Sequence, residues 1–178
     1  EGSWDIVQEL MELGSEIDDA CYVLWSACEN GKVEIVRLLV DMGVDVDRAG
    51  LRGSTALHIA CQEGHLEVAR LLVDKGADMD KAKDTGATPL FIACQDGHLD
   101  VVRVLLAADG IQANQANQNS QTPINIAADK GHVDVVRLLL SVPGIDVTTA
   151  DKWGDVPLAS AREKGHGAVV SVLESFSS

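Results

Sequence analysis

Apolar residues come along this chain in short paired bursts, not in one long stripe. Pro89-Leu90-Phe91-Ile92-Ala93-Cys94 forms one burst, Gly97-His98 interrupts it, and apolar side chains then recur at Leu99, Val101, Val102, Leu105 and Leu106. Thr88 and Pro89 open the first burst as a short helix should open: a Thr side chain can accept from free N–H groups of the first turn, and Pro has no N–H to leave unpaired there. The second burst has the spacing of a helix that buries a wide stripe. Gly110, like Gly43, Gly76 and Gly144, ends that helix, because a left-handed residue is least strained as Gly. Polar, turn-forming residues follow before the next burst begins.

The pattern repeats down the whole chain. Gly31, Gly64, Gly97, Gly131 and Gly165 recur at 33 to 34 residues and are followed by Lys32, His65, His98, His132 and His166. Thr55, Thr88 and Thr122 keep the same step, as do Ala27, Ala60, Ala93, Ala127 and Ala161 and the aliphatic clusters around Val36, Val68, Val102 and Val136. A two-helix unit of this size cannot bury both helices alone, so neighbouring units must stack and share one elongated core.

Composition agrees. Of 178 residues, 46% are hydrophobic and 3% aromatic, so the core is expected to be thin layers of small aliphatics and a large β-sandwich core is disfavoured. No window approaches the roughly 18 apolar residues that a membrane span needs. Four cysteines are too few for a disulfide scaffold, and the sequence carries neither an N-x-Ser/Thr sequon nor a signal peptide, so a reducing, intracellular compartment is expected.

Thr55-Ala56-Leu57-His58-Ile59-Ala60, Thr88-Pro89-Leu90-Phe91-Ile92-Ala93, Thr122-Pro123-Ile124-Asn125-Ile126-Ala127 and the degraded Val156-Pro157-Leu158-Ala159-Ser160-Ala161 stand in register. They resemble the T-P-L-H-x-A motif of ankyrin repeats, and the resemblance covers essentially the whole chain. It implies an all-α solenoid of stacked helix-turn-helix units joined by β-hairpin-like turns. One domain is expected over residues 1–178: a partial N-terminal cap at 1–18, repeats at 19–51, 52–84, 85–118 and 119–152, and a truncated last repeat at 153–178. Residues 5–14 align with 34–43, which makes the cap half a repeat.

Candidate chemistry is sparse. Cys28, Cys61 and Cys94 fall at one position in successive first helices, but stacked helices roughly 8–10 Å apart exceed the ~7 Å Cα separation of a disulfide, so they read as buried small hydrophobes. The resemblance gives the five histidines a structural role, bonded to neighbouring side chains and loop backbone. Gly50-Leu51-Arg52-Gly53-Ser54-Thr55 imitates the end of a phosphate loop without its Lys. The carboxylate pairs Asp18-Asp19 and Glu9/Glu12 fall on a solvated face or cap. No nucleophile–base pair, metal-ligand cluster or cofactor motif is found, so neither an enzyme nor a cofactor is expected. The 28 acidic and 14 basic residues give a net charge of −14, and residues 1–50 hold 12 acids against 3 bases, a net of −9. That end repels nucleic acid and anionic membranes. It either favours a partner protein with a basic surface or is a solvated cap kept soluble by its charge.

Positions that break the period remain for recognition. The resemblance places binding on a concave groove of turn tips and exposed first-helix ends. The tips include Leu51, Arg52 and Ser54, then Asp84 and Thr85, then Gln118, Asn119 and Gln121, then Lys152 and Trp153. The helix ends are Glu29-Asn30, Gln62-Glu63, Gln95-Asp96, Asp129-Lys130 and Glu163-Lys164, of which the middle three are expected to bind. Leu51 and Trp153 are apolar on turn tips, which suits an interface anchor; a Trp153 folded back on its own cap is the alternative. Ser120 replaces the turn Gly of the third tip. The resemblance also puts Asn114, with Leu106 eight residues before it, where asparagine hydroxylases act in intracellular arrays, with Asp47, Asp80 and Thr148 in the equivalent slots. The expected function is non-catalytic binding of another protein by a monomer. The alternatives are a substrate-recruiting piece of a larger enzyme or adaptor and an engineered or selected scaffold; irregular caps and Phe91 and Asn125 in the motif argue against a consensus design.

Overall fold

The computed structural model describes residues 17–176, and among them every regular element is helical. The helices are α1 (Ile17–Glu29), α2 (Val33–Asp41), α3 (Ala56–Glu63), α4 (Leu66–Asp74), α5 (Pro89–Asp96), α6 (Leu99–Leu106), α7 (Pro123–Lys130), α8 (Val133–Leu140), α9 (Pro157–Glu163) and α10 (Gly167–Phe176). They form five antiparallel pairs. First helices stack on first helices, from α1 through α3, α5 and α7 to α9, and second helices on second helices, from α2 through α4, α6 and α8 to α10. The partial cap expected over 1–18 lies outside the described residues, except that residues 17 and 18 belong to α1.

One core runs the length of the stack. Leu24, Leu57, Leu90 and Ile124 from the first helices and Leu39, Leu72, Leu105 and Leu139 from the second are all sealed from solvent. Burying each such side chain is worth about 1.5–3 kcal/mol, and neighbouring units share in that burial. Ala60, Ala93, Ala127 and Ala161 are fully buried as well; their small side chains let adjacent first helices approach. All four cysteines are buried thiols. Burial pushes Cys28 up to about 12 and Cys61 and Cys94 higher still, which makes them poor nucleophiles.

Helix starts follow the expected chemistry. Thr55, Thr88 and Thr122 each accept a backbone N–H three residues on, from His58, Phe91 and Asn125. His58 closes the box from the other side: its Nδ1 accepts from the Thr55 N–H at 3.2 Å and lies 2.9 Å from the Thr55 hydroxyl. That leaves the ring proton on Nε2, which donates to Ala87 O of the next unit at 3.1 Å. Asn125 reproduces the arrangement with an amide, Oδ1 accepting from Thr122 N–H at 3.0 Å and Nδ2 donating to Thr149 O at 3.2 Å. Phe91 fills the same slot with apolar volume alone.

A second histidine series ties unit to unit. Nε2 of His65, His98, His132 and His166 donates to the carbonyl of Glu29, Gln62, Gln95 and Asp129, at 2.8–3.0 Å, at the end of the preceding first helix. Each ring lies directly over the preceding left-handed glycine: a methyl group on Gly97 would stand 2.6 Å from the His132 ring. Gly165, in the last described pair, has nothing within 4 Å.

The turn tips carry no strand. The first is a single 3₁₀ turn, Leu51–Gly53, and each tip closes through two backbone bonds of its own, as in Lys83 N–H to Ala87 O at 2.9 Å and Gly86 N–H to Lys83 O at 2.8 Å. The β-hairpin likeness therefore stops at the turn, because no flanking residues pair into a ladder among the described residues.

Two predictions follow from the packing. Gly97→Ala and Gly76→Ala both place a side chain at positive φ, +78° and +85°, but only the first meets a neighbour. Urea unfolding followed by circular dichroism should show Gly97→Ala losing at least about 1 kcal/mol more than Gly76→Ala, the usual cost of overpacking; equal losses would mean that the ring contact is unimportant. The second concerns acid. Burial lowers His58 from its ordinary 6.5 to about 4, opposed in part by its bond to Ala87. The unfolded chain takes up this proton near pH 6.5 and the folded chain resists it, so the contribution is complete above pH 6.5 and is lost as the pH falls toward 4. Over that window wild type should lose up to about 3 kcal/mol more than His58→Asn, whose amide is expected to bond as Asn125 does. Parallel pH profiles of the two proteins would refute this.

Candidate partner-binding groove

The tips are joined edge to edge along the stack. Asp84 N–H donates to Arg52 O at 3.1 Å, Gln118 N–H to Thr85 O at 2.9 Å and Lys152 N–H to Asn119 O at 2.9 Å. Side chains reinforce two of these joints: Gln118 Nε2 donates to Asp84 O at 2.6 Å, and Lys152 Nζ to Asn119 Oδ1 at 2.6 Å. Packing between tips is close enough to demand glycine, since a Cβ on Gly86 would lie 2.8 Å from the Gln118 nitrogen. Ser120 takes the corresponding left-handed conformation at φ +58° in the third tip, as its replacement of the turn Gly requires.

On this edge the residues expected from the sequence are displayed outward. Leu51 is 85% exposed and Trp153 63% exposed, while Arg52, Asp84, Thr85, Gln118 and Lys152 are exposed beside them and Ser54, Asn119 and Gln121 are half-buried. Trp153 does not fold away; its indole stays open with the Lys152 ammonium 4.4 Å from the ring centroid. The helix ends line up as a second row. Gln62 bonds Glu63 at 2.8 Å, Gln95 bonds Asp96 at 3.3 Å, and Lys130 pairs with Asp129 at 3.1 Å. Backbone carbonyls of Gln62, Gln95 and Asp129 are the ones held by the histidines, so this row is fixed from behind.

The two rows enclose a cleft of about 460 Å³ between the fourth and fifth helix pairs. It gathers Gln121, Asp129, Lys130, Trp153 and Asp155, which the sequence places on the tips and helix ends, with Asp151 and Ser160, which it does not single out. Leu51 and Arg52 lie on the first of the four tips and Trp153 on the last, so the sixteen expected residues form a line and not one pocket. Asp151 escaped notice because it sits one residue before the tip that varies most. Its signal was the Asx turn: Asp151 Oδ1 accepts the N–H groups of Trp153 at 2.9 Å and Asp155 at 3.0 Å, as Asn117 Oδ1 accepts those of Asn119 and Gln121.

Asn114 has a structural task. Its Oδ1 accepts Asp146 N–H at 2.9 Å and its Nδ2 donates to Gly144 O at 2.8 Å, while Asp47 and Asp80 accept the N–H groups of Asp78 and Gln112 in the same way. Asp146 in turn is held well below the usual carboxylate range, at about 2, by hydrogen bonds from Thr149 and Thr148. No three His, Cys, Asp or Glu side chains converge as a metal site among the described residues, and no helix there is long and apolar enough to cross a membrane.

A five-pair helical stack with histidine-clamped glycines and linked tips defines a repeat solenoid, and comparison with family models makes the class specific. The model for ankyrin repeats (3 copies) matches residues 1–83, 75–151 and 110–175. The chain belongs to the ankyrin-repeat family, whose members are generally protein–protein interaction modules and typically non-catalytic. A comparison with curated proteins finds no significant match.

Proposed function

We propose that this array is a non-catalytic, monomeric module that binds a partner protein through the groove formed by its turn tips and first-helix ends. The observation that carries the reading is a division of labour. Residues that keep the 33-to-34-residue period fill the core or cap and clamp the helices, whereas those that change from unit to unit, Leu51-Arg52, Asp84-Thr85, Gln118-Asn119 and Lys152-Trp153, lie outside the core on an edge held together tip to tip, with all but the half-buried Asn119 exposed. Exposed Leu51 and Trp153 are the anchors, because large apolar side chains on a rigid edge give contact area at little entropic cost. The excess of acid, 28 to 14, favours a basic partner surface by long-range attraction. The same module recruits substrates if it is part of a larger enzyme or adaptor.

Affinity capture from cell extract tests this, with the intact array beside a Leu51→Ala, Arg52→Ala, Asp84→Ala, Trp153→Ala variant of matched circular dichroism. A protein retained by the first and lost from the second by roughly 100-fold or more, as expected for removing two anchors and two polar contacts, supports groove binding. Equal capture by both would contradict it.

A further inference from the structure

We propose that residues 5–14 of this chain fold as a helix over the outer face of the first helix pair and seal an apolar cleft there, an inference independent of the groove reading. That face is unlike its equivalents. In the later units the positions of Tyr22, Val23 and Ile35 are closed to solvent: Thr55, Thr88 and Thr122 are at most 2% exposed, Ala56, Pro89, Pro123 and Pro157 are buried, and Val68, Val101, Val135 and Val169 are at most 2% exposed. In the first unit Tyr22 is 66% exposed and Val23 and Ile35 are half-buried, and with Ala27 and Lys32 they line a cleft of about 410 Å³. The opposite end of the stack is finished with charge. Arg162 stands where Cys28, Cys61, Cys94 and Ala128 are buried, Glu174 stands where Val40, Val73, Leu106 and Leu140 are half-buried, and the two pair at 2.6 Å. Polar groups thus meet water at one end, whereas the first pair turns aliphatic and aromatic groups outward and needs a cover.

The segment before α1 has the chemistry of that cover. Ile6, Val7, Leu10 and Met11 recur at helical spacing on one side, with Asp5, Glu9 and Glu12 on the other. It aligns with residues 34–43, whose Val36 and Leu39 are sealed in the core, so Val7 and Leu10 take the equivalent places. Gly14 supplies a helix stop, and Ser15-Glu16 leaves a connection to Ile17 of the length common between antiparallel helices. Charge agrees as well. Residues 1–16 carry five acids and no base, and Lys32 stands exposed on the cleft wall, in the position from which His65 of the next unit reaches back to Glu29 O. A segment tethered this closely outcompetes a separate helix of equal affinity, because a short linker holds its effective concentration in the millimolar range.

The test uses the full chain with the methyl groups of isoleucine, leucine, valine and methionine labelled with carbon-13. Nuclear Overhauser contacts are expected from Leu10 and Met11 to Val23 and Ile35. Urea unfolding then reads the worth of the contact through a double-mutant cycle of Leu10→Ala and Val23→Ala: together they should change the unfolding constant by roughly fivefold less than the product of their separate effects. Absence of the methyl contacts, or single effects that multiply in full, overturns the proposal. Contacts between labelled and unlabelled copies in a mixed sample, with a doubled mass in sedimentation, overturn it in favour of a second copy as the occupant. A chain with neither kind of contact leaves the face open to a different partner and overturns it too. The capture experiment, which reads the tips, is unaffected by any of these results.

Discussion

The contact on which the rest of the structure depends is a hydrogen bond about 36 residues long in sequence and under 3.1 Å in space: histidine Nε2 at the start of a second helix to the last-turn carbonyl of the preceding first helix. It answers the general problem of a helix end, whose final carbonyls have no partner within the helix. It also fixes the ring against the left-handed glycine that ends the same helix, so that glycine is required twice, once for its φ and once for the space above it. At Gly165 only the first requirement remains: its φ is +77° but nothing lies within 4 Å of an added Cβ. Stability is then a sum over neighbours, and each unit is ordered because the next one is.

This clamp has a functional consequence, because the carbonyls it holds belong to Gln62, Gln95 and Asp129, whose side chains form one wall of the groove. The opposite wall is held by the bonds between tips. The proposed recognition residues are thereby carried on backbone that is fixed on both sides, so that on the proposed reading the entropy of ordering them is met in folding and not in binding. His58 and Asn125 add a third set of joints beneath the tips, and the amide of Asn125 shows that the histidine there is one solution among several.

The period made most of this legible in the sequence. Thr55, Thr88 and Thr122, the glycines and the histidines recur because each unit meets the same neighbour, and a repeated constraint leaves a repeated letter. The tip residues were legible for the opposite reason, as the letters that do not recur. Two kinds of feature escaped. Closure of the tips by turn bonds alone, without a strand ladder, depends on distances between segments that the sequence pattern does not encode. The cleft around Asp151 and Ser160 arises where two units meet, a junction that the pattern within one unit does not encode. Trp25, in the first unit's histidine slot, illustrates the same limit: its ring packs over Gly50 and its indole nitrogen is buried without a partner, a difference from His58 that only the geometry reveals.

That the tips form one rigid, hydrogen-bonded edge is the claim on which both the groove and its proposed partner rest, and native-state amide hydrogen exchange tests it most directly. Asp84, Gln118 and Lys152 N–H groups, each bonded across a unit boundary, should exchange orders of magnitude more slowly than Thr85 N–H, which has no acceptor. If those three amides exchange as fast as Thr85, the edge opens freely, and a preformed recognition surface is contradicted.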